Sequence, residues 1–145
     1  MTDTILDQFK LLLSKAYAAH ATDVHIRSCG PLRVRIAGDL KEDSRFTFDT
    51  SQLHKIVTEL VTEENRKRLV KYKTTEGMFE VNHSIKCRYK FSFDRGKIYL
   101  ICRLLPGNIR TWENLNIPSL ALQFLNKKQG LILISGPLSS GKTST

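Results

Sequence analysis

The sequence contains no apolar run approaching the roughly 18 residues that a membrane-spanning helix needs. Its first ten residues, MTDTILDQFK, carry acids where a secretory signal needs positive charge. Cysteine is scarce. Cys29, Cys87 and Cys102 make an odd set of three with no C-x-x-C spacing, which excludes a disulfide framework and a cysteine zinc site. Free thiols in a reducing compartment are the simplest reading. Histidine offers no metal centre either, since no two of His20, His25, His54 and His83 have ligand spacing. Repeats and low-complexity tracts are absent. Acidic residues are in deficit, 14 against 23 Lys and Arg, for a formal net charge of +9. Such an excess points to an anionic partner (nucleic acid, acidic lipid or nucleotide phosphates), or to an acidic region elsewhere in a longer protein that balances it.

What is present is an ordinary globular composition, 41% hydrophobic and 26% charged over 145 residues. Residues 4–20 place Ile5, Phe9, Leu12, Leu13 and Ala16 at helical spacing, with Asp3 or Thr4 as the cap. DVHIR and LRVRI read as short strands around Cys29-Gly30-Pro31, and Gly38-Asp39 turns the chain again. Residues 49–72 read as a helix in two pieces, the second restarting at Thr62 and carrying Arg66, Lys67, Arg68 and Lys71. TEGMFEVN, IKCRYKFSF and KIYLICRLL read as strands, the last two joined by a hairpin at Asp94–Lys97. Composition changes near Pro106. NIRTWENLNIP is a polar linker, Pro118 opens a short helix, and LILIS reads as a strand buried on both faces of a parallel sheet.

That last run leads into Gly136–Thr143, the pattern G-x-x-x-x-G-K-T of a phosphate-binding loop. Glycines in such a loop let backbone N–H groups converge on phosphate oxygens. The loop residues Gly136, Pro137, Leu138, Ser139, Ser140, Gly141, Lys142, Thr143 and Ser144 are the candidate nucleotide cradle. Lys142 is placed to reach the β- and γ-phosphates, and the Thr143 hydroxyl to hold Mg²⁺. Hydrolysis needs more: a second metal-holding acid and a group that orients water normally come from later strands, and none follow Thr145. Residues 118–145 alone are expected to bind nucleotide weakly.

The hairpin register carries a second signal. With Arg95-Gly96 at the tip, positions whose numbers sum to 191 lie opposite one another. One face gathers Ile85, Cys87, Tyr89, Phe91 and Phe93 with Ile98, Leu100, Cys102 and Leu104, which reads as core. The other carries Lys86, Arg88, Lys90 and Ser92 against Tyr99, Ile101, Arg103 and Leu105. Arg88 then faces Arg103, and like charges directly opposite destabilise a sheet unless they are solvated or share an anion. Tyr99 and Ile101 beside them suggest a face that is partly covered. Tyr89, Phe91 and Phe93 could serve a nucleic-acid stacking platform, but their register with Ile98 and Leu100 makes them core.

Together these residues resemble the ATPases of type II secretion and type IV pili. ATDVHIRSCGPLRVRIAGDL is similar to that family's A-S-D-x-H-[IL] strand and the R-x-D-G-D-[LV] turn after it. CRYKFSFDRG and ICRLLP are similar to its R-[FV]-R hairpin and the strand ending R-x-[IL]-P. NIRTWENLNIPSLALQFL resembles its I-P linker and helix, and GLILISGPLSSGKTST its phosphate loop. The departures are Leu138 and Ser139 for the usual Thr and Gly, Ala37 for Asp, and Arg110 for Pro.

The resemblance implies an α/β protein: a PAS-like α+β domain with an antiparallel sheet at 1–105, a linker at 106–117, and the truncated start of a RecA-like P-loop domain at 118–145. It implies a homo-hexameric, ATP- and Mg²⁺-dependent motor, cytoplasmic and peripheral to the inner face of the cell membrane. The implied partners are inner-membrane platform proteins of a pilus or secretion machine, with an acidic-lipid contact open and no nucleic acid. Arg88 and Arg103 match the family's phosphate-approaching arginines, and with Lys142 they are the candidate catalytic residues. The short region before DVHIR points to a retraction-like or competence-like member. The family's aspartate box, Walker B acid and histidine box have no counterpart here, so the chain alone is expected to be inactive. The alternative is a short, non-catalytic module that binds motor subunits or acidic lipid.

Overall fold

Three helices form because their first turns are capped by side chains. Residues 4–107, 111–137 and 142 are described in a computed structural model of the chain. Helix α1 (Ile5–Ala18) starts on a capping box: the Thr4 hydroxyl accepts from the Asp7 N–H, and the Asp7 carboxylate accepts from the Thr4 N–H, both at 3.1 Å. Helix α2 (Thr50–Leu60) repeats the device with Asp49 and Gln52. Helix α3 (Glu63–Tyr72) is capped by Thr62 and ends on Lys73 in the left-handed region, φ 59°. The two-piece reading of residues 49–72 therefore corresponds to two separate helices. No helix among the described residues is long and apolar enough to cross a membrane.

The strands are β1 (Ala21–Arg27), β2 (Pro31–Ile36), β3 (Asp39–Thr47), β4 (Thr74–Asn82), β5 (Ile85–Asp94) and β6 (Lys97–Pro106). They form one six-stranded antiparallel sheet in the order β3-β2-β1-β6-β5-β4. The hairpin register is the one read from the sequence, with Arg88 opposite Arg103 and Phe91 opposite Leu100. Strand β3 was not anticipated. DLKEDSRFT has no apolar alternation, and it occupies a sheet edge where charged side chains discourage further pairing.

All three helices cover one face of this sheet. Phe9, Leu12 and Leu13 of α1, Leu53, Ile56 and Val57 of α2, and Leu69 of α3 join Val24, Ile26, Cys87, Tyr89, Phe91, Ile98, Leu100, Cys102 and Leu104 in a single buried cluster. Tyr89 and Phe91 lie 4.9 Å apart between ring centroids inside it, so neither is available to stack on a base. Cys87 and Cys102 are also buried, and burial, reinforced by the neighbouring Cys87, pushes the Cys102 thiol well up.

The chain divides into two compact units, Met1–Gly107 and Asn108–Thr145. In the second, Ser119–Leu122 forms a short helix, α4, that continues as a 3₁₀ turn over Gln123–Asn126. The expected buried strand LILIS is not observed. Residues 131–136 have no regular structure, and Leu131, Ile132, Leu133 and Ile134 are at least half exposed. A parallel strand is stable only between hydrogen-bonded neighbours, and the sheet described here lies wholly in the first unit.

Gly77 of β4 lets the backbone pass over the buried Tyr89 ring. A Cβ there would lie 2.5 Å from the Tyr89 hydroxyl oxygen and 2.7 Å from Cζ. Gly77→Ala should therefore destabilise the first unit by about 1–3 kcal/mol, the usual cost of overpacking, read as a lower urea midpoint at unchanged m-value.

Candidate functional site

The uncovered face of the sheet is built in rows, because antiparallel partners point their side chains the same way. One row crosses all six strands through consecutive partners: Leu40, Arg35, Asp23, Arg103, Arg88 and Met78. It holds three arginines and one carboxylate. The next row runs through Glu42, Arg33, His25, Ile101, Lys90 and Glu76.

Asp23 is the buried member, only 5% exposed. Its Oδ1 accepts from Arg103 Nε at 2.9 Å, and its Oδ2 accepts from the Thr22 hydroxyl at 2.9 Å. Arg35 Nε stands 3.7 Å from the same Oδ2. Burial opposes the charged carboxylate, but the bonds from Arg103 and Thr22 and the Arg103 charge outweigh it, and the carboxyl is held below its ordinary value. His25 is displaced downward as well, first by burial, then by Arg35, Arg103 and Arg33 against the opposing pull of Asp23. Its Nε2 is buried and has no hydrogen-bond partner among the described residues.

Arg88 differs from its neighbours. Among the described residues it makes no salt bridge and no side-chain hydrogen bond, and it is exposed. The Arg103 side chain is 63% exposed, and Ile101 is 40% exposed. The cover expected from Tyr99 and Ile101 is thus not supplied within the first unit. Its open face instead offers two adjacent guanidinium groups to solvent, balanced by one carboxylate that lies on the far side of Arg103. Chemically this is a place for an anion with several acceptor oxygens, because guanidinium groups meet phosphate and carboxylate through paired N–H donors.

Only part of the phosphate loop is described. Gly136 and Pro137 are exposed and without regular structure, and Lys142 Nζ donates to the Pro137 carbonyl. Leu138, Ser139, Ser140, Gly141, Thr143 and Ser144 lie outside the described residues. The described residues contain no cluster of His, Cys, Asp and Glu suited to a metal ion. The residues that sequence reading missed at the site are Thr22, Arg35 and, above all, Asp23. Its alternation with His25 in the DVHIR strand was a usable signal, but its partner on β6 could not be read from local spacing.

No family model matches the chain. Among curated proteins, the type IV pilus retraction ATPase PilT of Pseudomonas aeruginosa is 26% identical over 135 residues, which is 92% of this chain and 39% of that protein. The uncharacterised protein YggR of Escherichia coli is 28% identical over 126 residues, 87% of this chain and 38% of that one. A twitching motility protein of Neisseria gonorrhoeae is 24% identical over 136 residues, 93% of this chain and 36% of its own. The crystal structure of the pilus retraction motor PilT with bound ADP superposes with a TM-score of 0.77 at 27% identity, covering 93% of this chain and 40% of that one. The ATPase DotB of Legionella pneumophila, at 18% identity and TM-score 0.63 over 99% of this chain and 41% of that one, shares the fold.

The α/β unit with its six-stranded antiparallel sheet is thus the N-terminal fold of PilT-like ATPases. Over nearly its whole length the chain is similar to part of the pilus retraction ATPase PilT and of a twitching motility protein. It spans less than two fifths of the length of the curated relatives, at most 39%.

The depressed Asp23 carboxyl has a consequence for stability. A carboxyl whose folded value lies below its unfolded value of about 3.9 contributes stability that is fully present above that pH and lost as pH falls through the folded value. Urea unfolding between pH 2 and 7 should show Asp23→Asn less stable than the parent near neutrality, with the difference shrinking below about pH 4. A pH-independent difference would contradict the charged pairing.

Proposed function

We propose that the chain is the N-terminal portion of a homo-hexameric, ATP-hydrolysing motor that drives assembly or retraction of type IV pilus or type II secretion fibres. In this reading Arg88 and Arg103 face the nucleotide phosphates. The observation that carries it is the pair itself: two arginines directly opposite on an open strand pair, with no acid between them. An unliganded pair of this kind is repulsive, and a polyphosphate removes the repulsion. Likeness to a retraction motor that binds ADP supports the same ligand class.

Residues 1–105 act as the PAS-like domain, 106–117 as a linker, and 118–145 as the start of the RecA-like domain. Phosphoryl transfer spreads charge over the γ-phosphate oxygens, and arginines directed there stabilise it without covalent chemistry. Arg88 and Arg103 supply that charge, while Lys142 and the backbone N–H groups of Gly136 and Leu138–Ser144 hold the phosphates. Thr143 is the residue in this chain whose hydroxyl would hold Mg²⁺, which would supply positive charge to the phosphates. The machine sits at the cytoplasmic face of the inner membrane, and its platform proteins are the partners. Retraction is the favoured direction, because PilT, the first relative named above, is a retraction ATPase.

The test is ATP hydrolysis by the protein at the full length of its relatives. Lys142→Ala should abolish turnover, and Arg88→Ala or Arg103→Ala should each lower kcat by about 10³-fold, the usual worth of an arginine at a transferring phosphoryl group. Unchanged hydrolysis in both arginine variants would remove the phosphate-facing role, and activity retained by Lys142→Ala would remove the motor reading.

A further inference from the structure

Arg103 is held at one end only. Its Nε donates to Asp23 Oδ1 at 2.9 Å, and among the described residues neither terminal amino group has a hydrogen-bond partner. The anchor is buried and the fork is exposed. Asp23 lies on a central strand, 5% exposed, with its second oxygen occupied by the Thr22 hydroxyl at 2.9 Å. The Arg103 side chain projects from that anchor with 63% exposure. A guanidinium is planar, so engaging Nε leaves the edge formed by the two terminal amino groups free for a bidentate contact.

The order of charges along the row matters equally. Arg35, Asp23, Arg103 and Arg88 occupy four adjacent strands in that sequence. Arg103 therefore stands between the carboxylate and Arg88, and the strand of Arg88 is about 10 Å from that of Asp23 at ordinary sheet spacing. Arg35, on the other flank at 3.7 Å, keeps the carboxylate charge balanced. An acid that would repel an anion is thus placed where its charge is masked and its geometry is still felt.

We propose that Asp23 is a positioning residue of the anion site: it anchors Arg103 through Nε, so that the free guanidinium edge, with Arg88 beside it, is presented to a polyphosphate. This rests on the reading of Arg88 and Arg103 as phosphate-facing and adds to it a residue of the opposite charge. A long, flexible arginine loses affinity when it must be ordered at the moment of binding, and the Asp23 bond removes part of that cost beforehand.

The sign of one substitution separates this role from plain electrostatics. If only charge mattered, neutralising Asp23 would strengthen binding of an anion. If orientation matters, it weakens it. The probe is tripolyphosphate, titrated into the 145-residue chain and followed by the side-chain Nε–H resonance of Arg88 in ¹⁵N NMR spectra. Arg103→Ala should weaken binding about tenfold, the typical loss of a charge-assisted contact. Asp23→Leu, of similar size but without an acceptor, should weaken it about fivefold, and should add nothing in the Arg103→Ala background. Asp23→Asn keeps an oxygen where Arg103 needs it and should cost only about twofold, which also covers the case in which the leucine variant does not fold.

The outcomes are distinct. Arg103→Ala without effect overturns the phosphate-facing reading and this inference with it. Weakening by Arg103→Ala, with unchanged or tighter binding in Asp23→Asn and Asp23→Leu, overturns the positioning role alone. Equal losses from Asp23→Leu with and without Arg103 would mean general damage to the sheet, and would overturn it too.

Discussion

The structure depends on one buried carboxylate. Asp23 and Arg103 are 80 residues apart in sequence, yet their 2.9 Å bond joins the two central strands of the sheet. Strand alternation makes that contact a register constraint. A slip of one residue between β1 and β6 would turn Asp23 or Arg103 toward the face lined by Val24, Leu100 and Cys102, where a charge has no partner. The same bond therefore fixes how the two three-stranded halves of the sheet join and how the cationic row is laid out across it.

The covered face makes the open one usable. Three capped helices and the Tyr89–Phe91 pair fill the core on one side, so the other side is free to carry Arg35, Arg88 and Arg103 with little apolar content between them. Because Tyr89 and Phe91 are consumed in the core, the cationic groups left on the open face between Arg35 and Arg88 are guanidinium groups. That geometry suits phosphate chains, which offer oxygens along a line. Among the described residues it provides no ladder of stacked rings for bases.

Much of this was legible in the sequence where the relevant physics is local. The β5–β6 register followed from a two-residue tip, Arg95-Gly96, both at positive φ, and from clean alternation of apolar and polar residues on either side. The helices followed from Asp3 or Thr4 in front of apolar periodicity, and from a second helical stretch over residues 49–72 that restarts at Thr62. The β1–β6 pairing was not legible, because nothing near Asp23 specifies a partner so distant along the chain. Strand β3 escaped because an edge strand facing solvent needs no apolar pattern. The run LILIS misled for the opposite reason: its composition suits a buried strand, but neighbouring strands, absent from the described part of its unit, are what make such a run a strand. For the candidate site, the facing of Arg88 and Arg103 was legible from the hairpin register, and the acid that holds Arg103 was not.

The central claim is that Arg88 and Arg103 form one phosphate-binding pair, with Arg103 held from behind by Asp23. A crystal structure of the protein with a non-hydrolysable ATP analogue bound, γ-phosphate included, tests it most directly. The account predicts phosphate oxygens within about 3.2 Å of both guanidinium groups, with Arg103 Nε still bonded to Asp23. Phosphates bound elsewhere, with both arginines left to solvent, would contradict it.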